Sequence, residues 1–173
     1  MSVDTPRRIV LLRHAKADWP QTSDHERPLA ERGRTDAPVA GRRLAGTGIR
    51  FDLALCSTAV RTRETWKLAV HELPERPKTV YEERLYEASL GELLAVVNET
   101  PETVDNLLLI GHNPGMHALA DALSGASEGD ALTRMNRSGF PTAAFAVVGF
   151  QGTWKSVEHG MAGTLVEFWS PHD

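Results

Sequence analysis

The chain has 173 residues, 41% of them hydrophobic and 24% charged, which suits one domain (1–173) with an ordinary core. A net charge of −4 supplies no basic nucleic-acid surface, and no apolar run approaches the roughly 20 residues of a membrane-spanning helix. The single cysteine, Cys56, excludes an intrachain disulfide, and residues 1–8 lack the apolar core of a signal peptide, so a cytoplasmic protein is expected.

Residues 1–7 are expected to be a loose end and residues 8–13 the first strand. Ile9-Val10-Leu11-Leu12 is apolar without alternation, as in a strand covered on both faces. Residues 16–28 are polar, and Trp19-Pro20 and Ser23-Asp24 break any period, so a loop over the strand end is predicted. Gly33 and Pro38 interrupt residues 29–46. A helix capped by Asp36 would put Pro38 in its first turn and Ala37, Ala40 and Leu44 on one face, ending at Gly46 or Gly48.

Residues 51–56 read as the second strand, and Ser57-Thr58 as the cap of a helix to about His71, with Arg61 and Arg63 in its first turns. Residues 74–77 form a turn and 78–81 a short edge strand. Residues 90–99 are helical, with Leu93, Leu94 and Val97 inward. Residues 106–111 are the third strand. There Asn113 can cap, and Pro114 can open, a helix that buries Met116, Leu119, Ala120 and Leu123 and stops at Gly125. Residues 125–141 read as a long loop with one short helical turn. Residues 143–150 and 163–169 read as strands joined by a hairpin-like excursion through Gly152 and Gly160. This alternation predicts an α/β fold: a three-layer domain with a mostly parallel central sheet and helices on both faces.

Three strand-to-helix junctions carry the chemistry: Arg13 and His14 at the first, Ser57 and Arg61 at the second, His112 at the third. In parallel sheets ligands bind outside the carboxyl ends of the strands, so these residues should gather at one edge. Two guanidiniums, two imidazoles and two helix N-termini there suit a bound phosphate, which the planar donors of arginine match. Without an anion the same cluster would be costly to bury. A neutral imidazole attacks phosphorus without a metal, once its other ring nitrogen donates to a fixed acceptor such as a backbone carbonyl. A second, protonated imidazole would stabilise charge on the group in transfer. Chemistry alone does not say which histidine does which.

Arg13-His14 after an apolar strand, Ser57-Thr58-Ala59-Val60-Arg61-Thr62-Arg63-Glu64-Thr65 and Gly111-His112-Asn113-Pro114 together resemble the histidine phosphatase superfamily. The resemblance spans residues 8–169 and implies the fold shared with cofactor-dependent phosphoglycerate mutases. Arg13-His14-Ala15-Lys16-Ala17 and Asp24-His25-Glu26-Arg27-Pro28-Leu29 are most similar to SixA-type phosphohistidine phosphatases. It implies that His14 is transiently phosphorylated, with Arg13, Arg61 and His112 as the phosphate pocket and Ser57 able to touch phosphate. Leu85-Tyr86-Glu87-Ala88-Ser89-Leu90-Gly91 resembles the Leu-x-Glu-x-x-x-Gly stretch that supplies the proton donor in the mutase branch, which implies Glu87. Ala15 departs from the usual glycine, which costs little if its φ is negative. The chain also lacks the long lid insertions of the mutase and phytase branches, so an open site for a protein phosphohistidine or a small phosphomonoester is expected. No metal or cofactor is expected, nor a nucleic-acid or membrane partner, and no oligomeric state is specified.

Blander readings stand beside these. Arg61 could pair with Glu64 on its own helix, a contact worth a few tenths of a kcal/mol. Ser57 could be only a helix cap, Arg7-Arg8 and Arg42-Arg43 solvated surface, Arg63 and Lys16 rim charges, and Cys56 core. Asp18 and Asp24 could order the first loop. His112 and His117 are spaced wrongly for the His-Glu-x-x-His zinc motif, and His25, His71, His159 and His172 suggest no partner. Rival functions are a phosphate-dependent binding module without turnover and a phosphomutase.

Overall fold

The unbroken apolar run of residues 9–12 lies in an inner strand of a seven-stranded sheet in the computed structural model, which describes residues 6–172. The first half of the chain forms β1 (Pro6–Arg13), α1 (Glu31–Gly46), β2 (Leu53–Cys56), α2 (Val60–Val70), β3 (Lys78–Tyr81) and α3 (Leu90–Asn98). The second half forms β4 (Asn106–Gly111), α4 (Gly115–Leu123), β5 (Ser124–Ser127), α5 (Ala131–Ser138), β6 (Phe145–Gln151) and β7 (Gly163–Trp169). The sheet order is β3-β2-β4-β1-β6-β7-β5. β3, β2, β4 and β1 pair in parallel, as do β5 and β7, whereas β6 runs antiparallel to both β1 and β7.

The missing alternation in β1 now has a cause. Ile9 and Leu11 face a core built with α3, α4 and α5, while Val10 and Leu12 face a second core built with α1 and α2. Successive strand side chains point to opposite faces, so a strand between two helical layers must be apolar throughout. The expected three-layer α/β architecture is present.

Several local expectations are corrected. Pro6 and Arg7 belong to β1 rather than to a loose end, and residues 1–5 of that expectation lie outside the described residues. Arg7 is not solvated surface. Its side chain is fully buried, donating to the carbonyls of Gly152 (2.7 Å), Glu102 (3.0 Å) and Val104 and pairing with Glu102 (3.2 Å).

α1 starts at Glu31, so Asp36 is not its cap. Asp36 lies buried inside the helix and accepts from His172 Nε2 at 3.0 Å, a partner the sequence did not suggest. Gly33 reads as an interruption, yet it is a contact point, and so is Gly41. A Cβ at Gly33 would sit 2.1 Å from the Lys16 carbonyl oxygen, and one at Gly41 2.3 Å from that of Ala69. Pro38 is tolerated within this helix rather than in its first turn.

α2 is preceded by Ala59, not capped by Ser57-Thr58. At α4 the cap position is Pro114, while Asn113 Oδ1 accepts from the His117 N–H (3.2 Å). In α3, Val96 joins Leu93 and Val97 in the core, and Leu94 is only partly buried. Residues 125–141 are not mainly loop: they hold most of β5, an edge strand against β7, and the whole of α5, ended by Gly139 at φ 73°.

Candidate active site

Strand register brings the three junctions to one level. Arg13 lies opposite Gly111, and Cys56 opposite Ile110, so residues 14, 57 and 112 all follow at the same sheet edge. The His14 N–H donates to the Gly111 carbonyl and the Ser57 N–H to the Ile110 carbonyl, both at 3.0 Å. These bonds extend the ladder by one step and hold the loop starts against each other. The His14 and His112 rings end with centroids 5.3 Å apart at 58°.

His14 is fixed from behind. Its Nδ1 lies 2.7 Å from the carbonyl oxygen of Ala15, the backbone acceptor expected for a histidine that presents Nε2. The Ala15 N–H donates to Thr65 Oγ1 (2.9 Å), whose hydroxyl donates to the Arg61 carbonyl (2.7 Å). One chain of bonds thus ties the His14 loop to the first turns of α2. Among the described residues the left-handed non-glycine ones are Glu87, Phe140 and Ala143, so Ala15 adds no strain. Burial pushes the His14 pKa down to about 3, helped by the charges of His112, Arg13 and Arg61. At neutral pH this imidazole is uncharged.

His112 Nε2 lies 2.7 Å from Ser57 Oγ, which also accepts from the Ala59 N–H at 3.3 Å. Ser57 therefore orients His112 instead of capping a helix. When the Ser57 hydroxyl donates to Nε2, the ring proton sits on Nδ1. Burial, then Arg61, push the His112 pKa down to about 4. Arg13 Nη1 donates to the Phe140 carbonyl (3.1 Å), which also accepts from Asn113 Nδ2 (2.9 Å). Burial lowers the Arg13 pKa too. Three buried side-chain polar atoms lack a hydrogen-bond partner among the described residues, and two of them are Arg13 Nε and His112 Nδ1. Unsatisfied buried polar atoms are rare and costly, so two at one sheet edge require an explanation.

Arg61 is buried and does not pair with Glu64. Its Nη1 donates to the Asp24 carbonyl (2.7 Å) and its Nη2 to Asp24 Oδ2 (3.1 Å), while Glu64 accepts from the Leu29 N–H (2.8 Å). Asp24 gathers two more donors, Tyr86 Oη at 2.5 Å and Arg27 Nη1 at 3.1 Å. These bonds, Tyr86 foremost, hold its carboxyl well below the usual range, and the same contact raises the Tyr86 phenol to about 12. Asp24 does order the first loop, and it also anchors Arg61.

Sequence reasoning missed Tyr86 and dismissed His25. The two rings meet edge-on at 4.9 Å, Tyr86 lies 5.5 Å from His112, and His25 Nε2 shares a 2.9 Å hydrogen bond with Thr58 Oγ1. The available signals were adjacency to Glu87 and membership of the Asp24–Leu29 run. Glu87 is exposed, has a left-handed φ of 54°, and lines with His112 and Asn113 a cavity of about 400 Å³. It neighbours His112; His14, Arg13 and Arg61 do not line that cavity. Cys56 is core, its thiol pKa raised by burial. Among the described residues no group of three or more His, Cys, Asp or Glu side chains is placed to hold a metal ion.

This geometry can bind an oxyanion beside a neutral, oriented imidazole, and known proteins share its frame. A SixA-named phosphohistidine phosphatase structure from Agrobacterium tumefaciens superposes with a TM-score of 0.79 at 33% identity, over 96% of this chain and 99% of that one. One with the same assignment from Nakamurella multipartitia gives 0.81 at 28% identity, over 97% and 98%. An uncharacterized protein from Mycobacterium tuberculosis is 40% identical over 162 residues, covering 92% of this chain and 99% of the relative. Residues 9–137 match the sequence profile of the histidine phosphatase superfamily, branch 1. The chain belongs to the histidine phosphatase superfamily and is SixA-like within it.

Proposed function

We propose that the protein is a metal-independent phosphatase that works through a phosphohistidine on His14, with a protein phosphohistidine or a small phosphomonoester as substrate. One observation carries the reading: the unpartnered Arg13 Nε and His112 Nδ1 accompany an uncharged imidazole whose Nδ1 is already engaged. A phosphoryl oxygen would satisfy both donors and leave phosphorus in front of His14 Nε2. The phosphohistidine phosphatase assignment of two similar structures supports the substrate class.

In the first step the Nε2 lone pair forms a bond to phosphorus, and the bond to the leaving oxygen or nitrogen breaks in line. The electron pair departs with the leaving group, which takes a proton from the Glu87 carboxyl. Arg13, Arg61 and His112 stabilise charge on the equatorial oxygens, and bound phosphate favours protonated His112. In the second step water attacks phosphorus, its proton passes to the Glu87 carboxylate, and the P–Nε2 bond breaks to release inorganic phosphate. The left-handed φ of Glu87 supports a chemical role, because strained residues of this kind concentrate at functional sites.

The test is hydrolysis of an aryl phosphate and of a phosphohistidine protein with excess chelator present. Turnover of either by the wild type, and none by His14→Ala, is expected. Abolition by chelator would remove the metal-free mechanism, and undiminished turnover by His14→Ala would remove His14. Phosphate-dependent binding with no turnover would establish the binding module instead.

A further inference from the structure

The same first turns of α2 that aim Arg61 at Asp24 turn Arg63 outward, into a cleft of about 360 Å³ between α2 and the end of β3. Arg63, Lys67 and Arg76 ring this cleft, with the Arg63 guanidinium 5.7 Å from the centre of the Tyr81 ring. Trp66 closes it from inside, buried and donating Nε1–H to Thr79 Oγ1 at 3.0 Å. None of the three cations has a carboxylate partner among the described residues. Arg42, Arg43, Arg50 and Arg84, elsewhere on the surface, each hold at least one. The carboxylate in the lining, Glu64, is turned to the Leu29 N–H. On a chain of net charge −4, such a concentration of unpaired cations is a local feature and not an overall bias. β3 is also a terminal strand of the sheet, and its Val80 and Tyr81 side chains are exposed.

We propose that this cleft binds an acidic, extended polypeptide segment, the stretch that flanks the phosphorylated residue of a protein substrate. The three cations match its carboxylates, Tyr81 gives apolar contact, and the free edge of β3 offers backbone hydrogen bonds for strand addition. Arg61 and Arg63 share one helical turn but face opposite ways, so a chain that leaves the phosphate pocket on this side reaches the cleft by crossing the first turn of α2. The inference rests on the phosphatase reading for what the segment flanks, but not for the binding itself.

The probe is a fluorescent, unphosphorylated peptide of alternating glutamate and valine, titrated by anisotropy against the whole protein at low and high salt. The wild type should bind it, more weakly as salt rises, and the R63E/K67E/R76E variant should lose about ten-fold or more in affinity. R63Q/K67Q/R76Q should fall between them. All three side chains are exposed, so melting temperatures should match and aryl-phosphate turnover should stay at the wild-type level. No wild-type binding, equal binding by the charge-reversed variant, or equally tight binding of an oligothymidylate would each overturn the proposal. Peptide binding by a wild type that hydrolyses neither an aryl phosphate nor a phosphohistidine protein would overturn the phosphatase reading and leave the cleft's ligand supported.

Discussion

The two ends of β1 each carry an arginine, Arg7 buried and Arg13 half-buried, and the two are satisfied in opposite ways. Arg7 spends its guanidinium on three carbonyl oxygens and a carboxylate, and stacks 5.5 Å from the Trp154 ring. Arg13 makes one bond, to the Phe140 carbonyl, and its Nε is left without a partner. A buried charge costs several kcal/mol unless paired, so Arg7 is held for the fold, whereas half-buried Arg13 keeps a buried Nε–H for an acceptor that the fold itself does not supply. The sheet thus separates its ends: a closed seam where β1 begins, and unpartnered donors where β1, β2 and β4 finish.

The largest expected effect breaks the closed end. Arg7→Ala strands the Val104 and Glu102 acceptors and should cost about 3–5 kcal/mol in denaturant unfolding. Its turnover per folded molecule should stay near wild type. Loss of turnover without loss of stability would reverse the contrast. At the open end, Arg13→Ala should lower kcat/KM by about 10²–10³-fold, or roughly 2.7–4 kcal/mol, while changing stability by less than about 1 kcal/mol. Inorganic phosphate should raise the melting temperature of the wild type and of Arg7→Ala more than that of Arg13→Ala.

A smaller effect comes from protons. The His14 pKa is about 3 in the folded protein against 6.5 for the free side chain. Below pH 6.5 the unfolded chain takes up this proton and the folded chain does not, so stability falls as pH falls toward 3. At pH 5 the loss from His14 is about 2 kcal/mol, and His14→Asn should remove it from the pH–stability curve. An unchanged curve would mean that the imidazole is not desolvated. The smallest effect is at Glu87, where φ is 54°. Glu87→Gly should relieve strain and stabilise by up to about 1 kcal/mol while slowing aryl-phosphate turnover. A destabilised Glu87→Gly variant would show that the carboxylate is held for the fold.

What could be read from the chain was whatever a strand end dictates. Apolar runs ending in Arg13-His14, Ser57 and His112 locate three parallel strand ends, and the sheet rules bring them together without further information. The partners across loops were not legible. Asp24 meets Arg61 across 37 positions and Tyr86 across 62, and no local pattern encodes either pairing. Gly33 looked like an interruption because a sequence does not distinguish a glycine that turns from one that lets two backbones touch. Arg7 looked solvated because its acceptors are backbone carbonyls, which every residue has. β5 and α5 were obscured by a polar stretch, although Gly139 marked the helix end and this segment leads to the Phe140 carbonyl that holds Arg13.

The most direct test of the central claim is to trap the phosphoenzyme. Acid-quenched protein loses a phosphohistidine, so the reaction with ³²P-labelled phosphohistidine protein or aryl phosphate should be stopped in alkali and mapped by peptide analysis. The account predicts a base-stable, acid-labile phosphoryl group on His14, formed and lost within turnover and absent from His14→Ala. Label on His112 or on any other residue, or steady turnover with no label on His14 at the shortest quench times, would contradict it.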